Sequence, residues 1–146
     1  MKRNLIVIGC AAMLAFGLSF GSFAGSSPDS DSDGVPDAFD NCVNVPNGPL
    51  AATGLCDAQE DADLDGYGNP CDTDVNNDGG TGLDDVNIAL AAAAASAGAE
   101  SPADINCDTG VGLDDANSVL AGAAVGATPG PSGLACAGTG TPCSAQ

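Results

Sequence analysis

Apolar residues occur in three settings along this chain, and each predicts a different element. Leu5 to Phe20 is a nearly continuous apolar run, broken by Gly9 and Gly17 and preceded by the basic start Met1-Lys2-Arg3-Asn4. It falls short of the ~20 apolar residues of a spanning helix. Ser22-Phe23-Ala24 places small residues where a signal peptidase cuts, so residues 1–24 read as an export signal rather than an uncleaved anchor. Cys10 sits before most of the run, where a lipoprotein site would need it afterwards. The second setting is a pair of alanine-rich segments with helical spacing. Leu83, Val86, Leu90 and Ala93 share one face of a helix expected from about Asp84 to Ser96, stopped near Gly98. Leu113, Ala116, Leu120 and Ala123 repeat that face in a helix from about Asp114 to Ala124, stopped near Gly126 and Pro129. These stripes read as core, packing the two helices against each other. The third setting is the rest of the chain, where isolated apolar residues stand among Asp, Asn, Gly and Pro and predict no regular structure. Val43 to Ala58 reads as an extended connector, and Pro129 to Gln146 as a Gly/Pro-rich tail tied by cysteines.

The polar residues carry the more specific pattern. Asp29, Asp31 and Asp33 alternate ahead of Gly34, with Asp37 and Asp40 following. Asp61, Asp63 and Asp65 precede Gly66, with Asn69 and Asp72 after them. Asp74, Asn76 and Asp78 precede Gly79, and Asp85 closes; Asp104, Asn106 and Asp108 are closed by Asp115. In each segment the last Asp is the twelfth residue from the first. A 12-residue calcium loop takes oxygens from positions 1, 3, 5, 9 and 12 and a backbone carbonyl from position 7, with Gly at 6 for the bend. Position 7 is Val35, Tyr67, Gly80 and Gly110, and any residue can lend a carbonyl there. Position 9 is Asp37, Asn69, Gly82 and Gly112, and the two Gly cases call for water. Of the 20 acidic residues, all but Asp57, Glu60 and Glu100 fall within these loops, and only Asp84 and Asp114 of the remainder miss a ligand position. Position 12 is Asp rather than the longer Glu, and Thr109 stands where loop four wants Gly, at the cost of strain or a shifted turn. Calcium at up to four sites is therefore the expected cofactor, with loop four the weakest.

Charge sharpens this expectation. Lys2 and Arg3 are the only basic side chains, and there is no His, so loss of residues 1–24 takes the formal charge from −18 to −20. Such a chain repels nucleic acid and anionic lipid. It has no salt bridges with which to neutralise carboxylates packed into a fold; they must take up protons or bind cations. Phe39 and Tyr67 are the only aromatics beyond residue 24, so little apolar area is available to offset chain entropy. Low aromatic content with high acidity also fits disorder, which we expect of the metal-free chain. The other stabilising resource is sulfur. Cys42, Cys56, Cys71, Cys107, Cys136 and Cys143 remain after export, an even number that reads as disulfides. Cys136 with Cys143 closes a small Gly-rich loop, Cys42 with Cys71 is plausible, and Cys56 with Cys107 is the remainder. A zinc site lacks both His and a C-x-x-C pair.

From Asp74 and from Asp104 the chain repeats: Leu83-Asp84-Asp85 recurs as Leu113-Asp114-Asp115, Asn87 as Asn117, and Leu90-Ala91 as Leu120-Ala121. Two resemblances cover the loops. Asp29 through Cys42 resembles a thrombospondin type 3 repeat, and so does Gln59 through Asp72 with its Asp-x-Asp-x-Asp-Gly-Tyr-Gly-Asn-x-Cys-Asp ending. That resemblance implies a calcium-wrapped, disulfide-linked, core-poor extracellular segment. Asp74 to Ala124 resembles a type I dockerin, two calcium loops each followed by a helix. It implies an EF-hand-like pair, calcium ligands at Asp74, Asn76, Asp78, Asp85, Asp104, Asn106, Asp108 and Asp115, and docking to a cohesin-like or other surface protein.

The expected fold class is thus small and mostly irregular plus α. The expected domains are 1–24 signal peptide, 25–73 calcium-loop repeats, 74–126 a dockerin-like loop-helix pair and 127–146 a tail. The expected function is a secreted, calcium-binding adhesion or docking module, with a calcium-stabilised spacer or buffer, and a polysaccharide-associated hydrolase accessory, as alternatives. An enzyme is not expected: paired carboxylates exist, but no His, Lys or Arg supports them as acid, base or oxyanion donor.

Overall fold

A computed structural model describes residues 27–51, 56–140 and 142–143. The export signal expected at residues 1–24 lies outside the described residues, as does 52–55 within the connector and 144–146 in the tail. The described chain holds two α-helices and no strand, with single 3-10 turns at Asp37–Phe39 and Asn69–Cys71. No helix among the described residues is long and apolar enough to cross a membrane.

Helix α1 spans Leu83–Ala94 and helix α2 spans Leu113–Val125. Each begins as an acidic loop ends. The N-cap is glycine, Gly82 or Gly112, and the third helical residue reaches back to its N–H: Gly82 donates to Asp85 Oδ2 at 2.7 Å and Gly112 to Asp115 Oδ2 at 2.8 Å. A carboxylate there also meets the positive end of the helix dipole. Each helix ends on a left-handed residue, Ser96 (φ 52°) or Gly126 (φ 62°). The following residue bonds back to the last turn, Ala97 N–H to Ala92 O and Ala127 N–H to Gly122 O, both at 3.0 Å. Both ends are therefore Schellman turns, which stop α1 two residues short of the expected Ser96.

The core lies between the helices and is made of Val86, Ala89, Ala103, Ile105, Val111, Ala116 and Val119, flanked by Val75, Ala92, Ala93, Ala97 and Ala123. The stripe expected from the sequence holds at Val86, Ala93, Ala116 and Ala123 and is corrected at its four leucines. Leu83 and Leu113 are 71% and 70% exposed, and Leu90 and Leu120 are 44% and 46% exposed. The reason is rotational. Asp85 must point into its loop, and Leu83 and Leu90 then lie about 160° and 140° around the helix from it. Val86, Ala89 and Ala93 turn inward instead. The two repeats also clasp each other: Val111 N–H donates to Ala97 O and Thr81 N–H to Ala127 O, both at 2.8 Å. Each loop is thereby tied to the segment that follows the other repeat's helix.

The first half is held by other means. Cys42–Cys71, Cys56–Cys107 and Cys136–Cys143 are disulfides: the plausible pair, the remainder and the local pair expected from spacing. The two that close long loops each stabilise by about 3–4 kcal/mol on chain-entropy grounds. Cys56–Cys107 joins loop four to the connector. The connector itself is not extended, which corrects the sequence reading. It folds back under loop one, with Leu50 N–H donating to Asp33 O at 2.6 Å and Ala51 N–H to Gly48 O at 2.9 Å. Asn47 in its middle is completely buried. The tail runs along the first half, with Gly130 N–H on Cys71 O, Gly133 N–H on Asp40 O and Gly138 N–H on Asp65 O.

Candidate metal centres

The four acidic loops share one backbone. At position 4, Ser32, Leu64, Asn77 and Cys107 all take left-handed φ values of 65°, 60°, 58° and 54°. At position 6, Gly34, Gly66 and Gly79 stand at φ 96°, 94° and 105°, and Thr109 takes the same turn at 84°. Loop four therefore accepts strain rather than shifting the turn. Two left-handed residues in six wind the chain so that side chains 1, 3 and 5 converge on one side.

In loops one and two the converging side chains are all carboxylates. Carboxylate oxygens of Asp29, Asp31 and Asp33 lie within 4.8 Å of one another, and those of Asp61, Asp63 and Asp65 do the same. Backbone N–H groups fix the carboxylates from behind. Gly34 N–H donates to Asp29 Oδ2 at 3.2 Å and Gly66 N–H to Asp61 Oδ2 at 3.0 Å; Val35 and Tyr67 N–H donate to Asp33 and Asp65 Oδ1, both at 2.8 Å. The position 9 side chains stand apart from these triads and close the loop instead: Asp37 Oδ1 accepts from Ser30 N–H at 2.7 Å and Asn69 Oδ1 from Ala62 N–H at 3.0 Å. At position 12, Asp40 and Asp72 accept from the N–H two residues on, Cys42 and Asp74, both at 2.8 Å.

Loops three and four form a second class. Gly79 N–H donates to Asp74 Oδ2 at 2.7 Å, as in the first class. The position 3 amides Asn76 and Asn106 accept from Asp78 and Asp108 N–H at 2.8 Å. Asp85 and Asp115 are completely buried, and both their oxygens accept from their own loops; Asn76 N–H and Asn106 N–H reach their Oδ1 atoms at 3.1 and 3.2 Å. Asp84 and Asp114, which miss a ligand position, orient the position 3 amides instead. Their Oδ2 atoms accept from the Nδ2 of Asn76 and Asn106 at 2.9 and 2.8 Å.

The electrostatics of these loops is one-signed. No described residue is Lys, Arg or His, yet Asp33 and Asp40 are completely buried and Asp74 and Asp104 are 1% exposed. Burial, with Asp33 beside it, pushes the Asp31 carboxyl up to about 6. Burial with Asp63 and Asp65 nearby pushes Asp61 to about 6, and burial with Asp65, Asp63 and Asp74 nearby pushes Asp72 to about 8. Burial likewise raises Asp40, Asp65 and Asp104. Loops two and three are electrostatic neighbours, and Asn77 Nδ2 of loop three donates to Asp63 Oδ2 of loop two at 3.0 Å.

Whether these residues fit a cation is decided by their unpaired oxygens. Asp29 Oδ1, Asp31 Oδ2, Asp40 Oδ2 and Asp61 Oδ1 are buried without a hydrogen-bond partner. All four stand at positions 1, 3 or 12 of loops one and two. A buried carboxylate oxygen with neither donor nor counter-ion costs several kcal/mol; a hard cation at the centre of loop one would relieve Asp29, Asp31 and Asp40 together, and a second in loop two would relieve Asp61. The donor set fits one. Cys56, Glu60 and Cys107 also group together, but the two sulfurs are bonded to each other and offer no thiolate.

Beneath loop one lies a polar support that sequence spacing does not show. Asn47 bonds through its side chain to the side chains of Asn41 and Gln59, and Asn41 N–H donates to Gln59 Oε1 at 2.8 Å. Asn47 N–H donates to Asp33 Oδ2 at 2.8 Å and Gln59 Nε2 to Asp40 Oδ1 at 3.0 Å, so the network grips two ligand carboxylates. Gln59 also takes a positive φ, 56°, and nothing in the sequence announces it.

No family model, no curated protein and no solved structure matches the chain.

Proposed function

We propose that the protein is a secreted calcium-binding module that docks to an extracellular or cell-surface partner. The observation that carries the calcium reading is the set of four buried, unpaired carboxylate oxygens, all at ligand positions, in a chain whose described residues hold no basic side chain. Calcium suits the donors better than magnesium. It takes six to eight oxygens in irregular geometry, including backbone carbonyls, whereas magnesium demands a small octahedron and retains its waters. Val35, Tyr67, Gly80 and Gly110 would lend the carbonyls at position 7. Disulfides support an oxidising compartment.

Docking rather than a bare spacer is favoured by the helix faces. Leu83, Leu113 and Val125 are at least 70% exposed, and Ile88, Leu90 and Leu120 more than 40%. A spacer or buffer has no use for six exposed large apolar side chains on two short alanine-rich helices. In the dockerin-like reading the partner is a cohesin-like or other surface protein. Calorimetric titration of the oxidised protein with calcium and with magnesium tests the first part: several calcium sites and weaker magnesium binding are expected, and no calcium uptake at millimolar concentration refutes it. Pull-down of surface proteins with and without calcium tests the second, with calcium-dependent capture expected.

A further inference from the structure

Loop two is covered by a segment from the far end of the chain. Cys143 N–H donates to Leu64 O at 2.7 Å, and Gly138 N–H donates to Asp65 O at 2.9 Å. Those carbonyls belong to positions 4 and 5, on either side of the Asp65 backbone. The fit is close: a Cβ on Gly66 would come within 2.6 Å of Cys143 Sγ and 2.7 Å of Ala137 Cα. Tyr67, at position 7, faces Gly130 and Gly138, where a Cβ on either would meet its ring or hydroxyl at 2.8 and 3.1 Å. The segment is held in this shape by Cys136–Cys143, a bridge with a sequence separation of 7. Between the strap, loop two and loop three lies a cavity of about 630 Å³ lined by Asp63, Asp65, Tyr67, Asp74, Pro129 and Pro142, among others. Loop one receives an equivalent cover from the adjacent connector, Leu50 N–H on Asp33 O. Loop two has no neighbour in sequence to do this, because Asp74 of loop three follows Asp72 after one residue.

We propose that the disulfide-closed strap 136–143 completes the calcium site of loop two, with Gly138 and Cys143 as its positioning residues. This rests on the calcium reading of the loops and adds which distant segment one site depends on. The strap fixes the peptide units on either side of Asp65, so the carboxylates and the Tyr67 carbonyl are ordered before the ion arrives. By linkage, the ion must then stabilise the strap as much as the strap stabilises the ion.

The chain offers its own reporter. Tyr67 is the one tyrosine and there is no tryptophan, so terbium luminescence excited through tyrosine reports loop two. In the variant Cys136→Ser/Cys143→Ser the terbium midpoint should rise about tenfold, the equivalent of one or two backbone hydrogen bonds, with the helix dichroism retained. In Val125→Ser the same midpoint should stay within about twofold, because that side chain is 80% exposed on the second helix and lies outside the loops. In the native protein, calcium should slow amide exchange at Gly138 and Cys143. An unchanged midpoint in the first variant, equal shifts in both, or collapse of the helices without the strap would each overturn the proposal. Absence of sensitised emission from the native protein would instead remove the ion from loop two, and the calcium reading there with it.

Discussion

Thr109 holds a φ of 84° at the point where Gly79, its counterpart in the preceding repeat, holds 105°. A β-branched residue in that region is strained by about 1–3 kcal/mol, whereas glycine enters it freely. Thr109→Gly should therefore stabilise the protein by about 1 kcal/mol after the entropy of the unfolded glycine is counted. Calcium affinity of the weakest site should rise with it. Thermal unfolding and calorimetric titration check both; destabilisation would mean that the threonine side chain contributes packing that outweighs the strain.

The buried amides under loop one should matter as much as the ligands they hold. Asn47 is completely buried and bonded to Asn41 and Gln59. Asn47→Ala should cost about 2 kcal/mol by leaving both partners unsatisfied. Denaturant titration in saturating calcium measures it, and a change under about 0.5 kcal/mol, typical of surface substitutions, would contradict the network's role.

Acid should act oppositely on the metal-free and loaded protein. Asp31 and Asp61 are raised from 3.8 to about 6 and Asp72 to about 8, chiefly by burial. The folded chain then holds protons that the unfolded chain releases, so its stability is greatest near pH 4 and falls as pH rises through 6 to 8. A bound cation favours the charged carboxylates and reverses the slope. Melting curves from pH 4 to 8, with chelator and with calcium, should cross; a chelated sample most stable at pH 8 would contradict the assignment.

The exposed leucines should be dispensable for folding. Leu83→Ser/Leu113→Ser should change stability by under about 0.5 kcal/mol, since both side chains are at least 70% exposed. Calcium-dependent capture of a surface partner should nevertheless fall. Unaltered capture would move the docking face elsewhere.

These particulars show which parts of the structure were legible in the sequence. Alternating Asp and Asn with a glycine at position 6 announce the loop windings, because ligand spacing and backbone conformation are the same constraint. The Cys136–Cys143 bridge followed from its short spacing and both helices from alanine content, while Cys56–Cys107 was reached only as the remaining pair. The rotation of the helices was legible only in part: Val86 and Ala93 lie inward as expected, whereas the bulkier Leu83 and Leu90 do not. The buried position 12 aspartate sets that rotation, and a polar residue in charge of a helix face is invisible to an apolar pattern. Asn47 and the strap were illegible for a different reason. The strap's bonds use backbone groups, which every residue carries, and the side chains of Asn41, Asn47 and Gln59 meet only once the connector has folded back.

Divalent cations among the carboxylates are what this account asks to hold the fold together. The most direct measurement is thermal unfolding of the oxidised protein at neutral pH, followed by helix dichroism, in chelator and in millimolar calcium. The account predicts little helix and no cooperative transition in chelator, and both restored by calcium. Equal helix content and equal melting temperature in the two samples would contradict it.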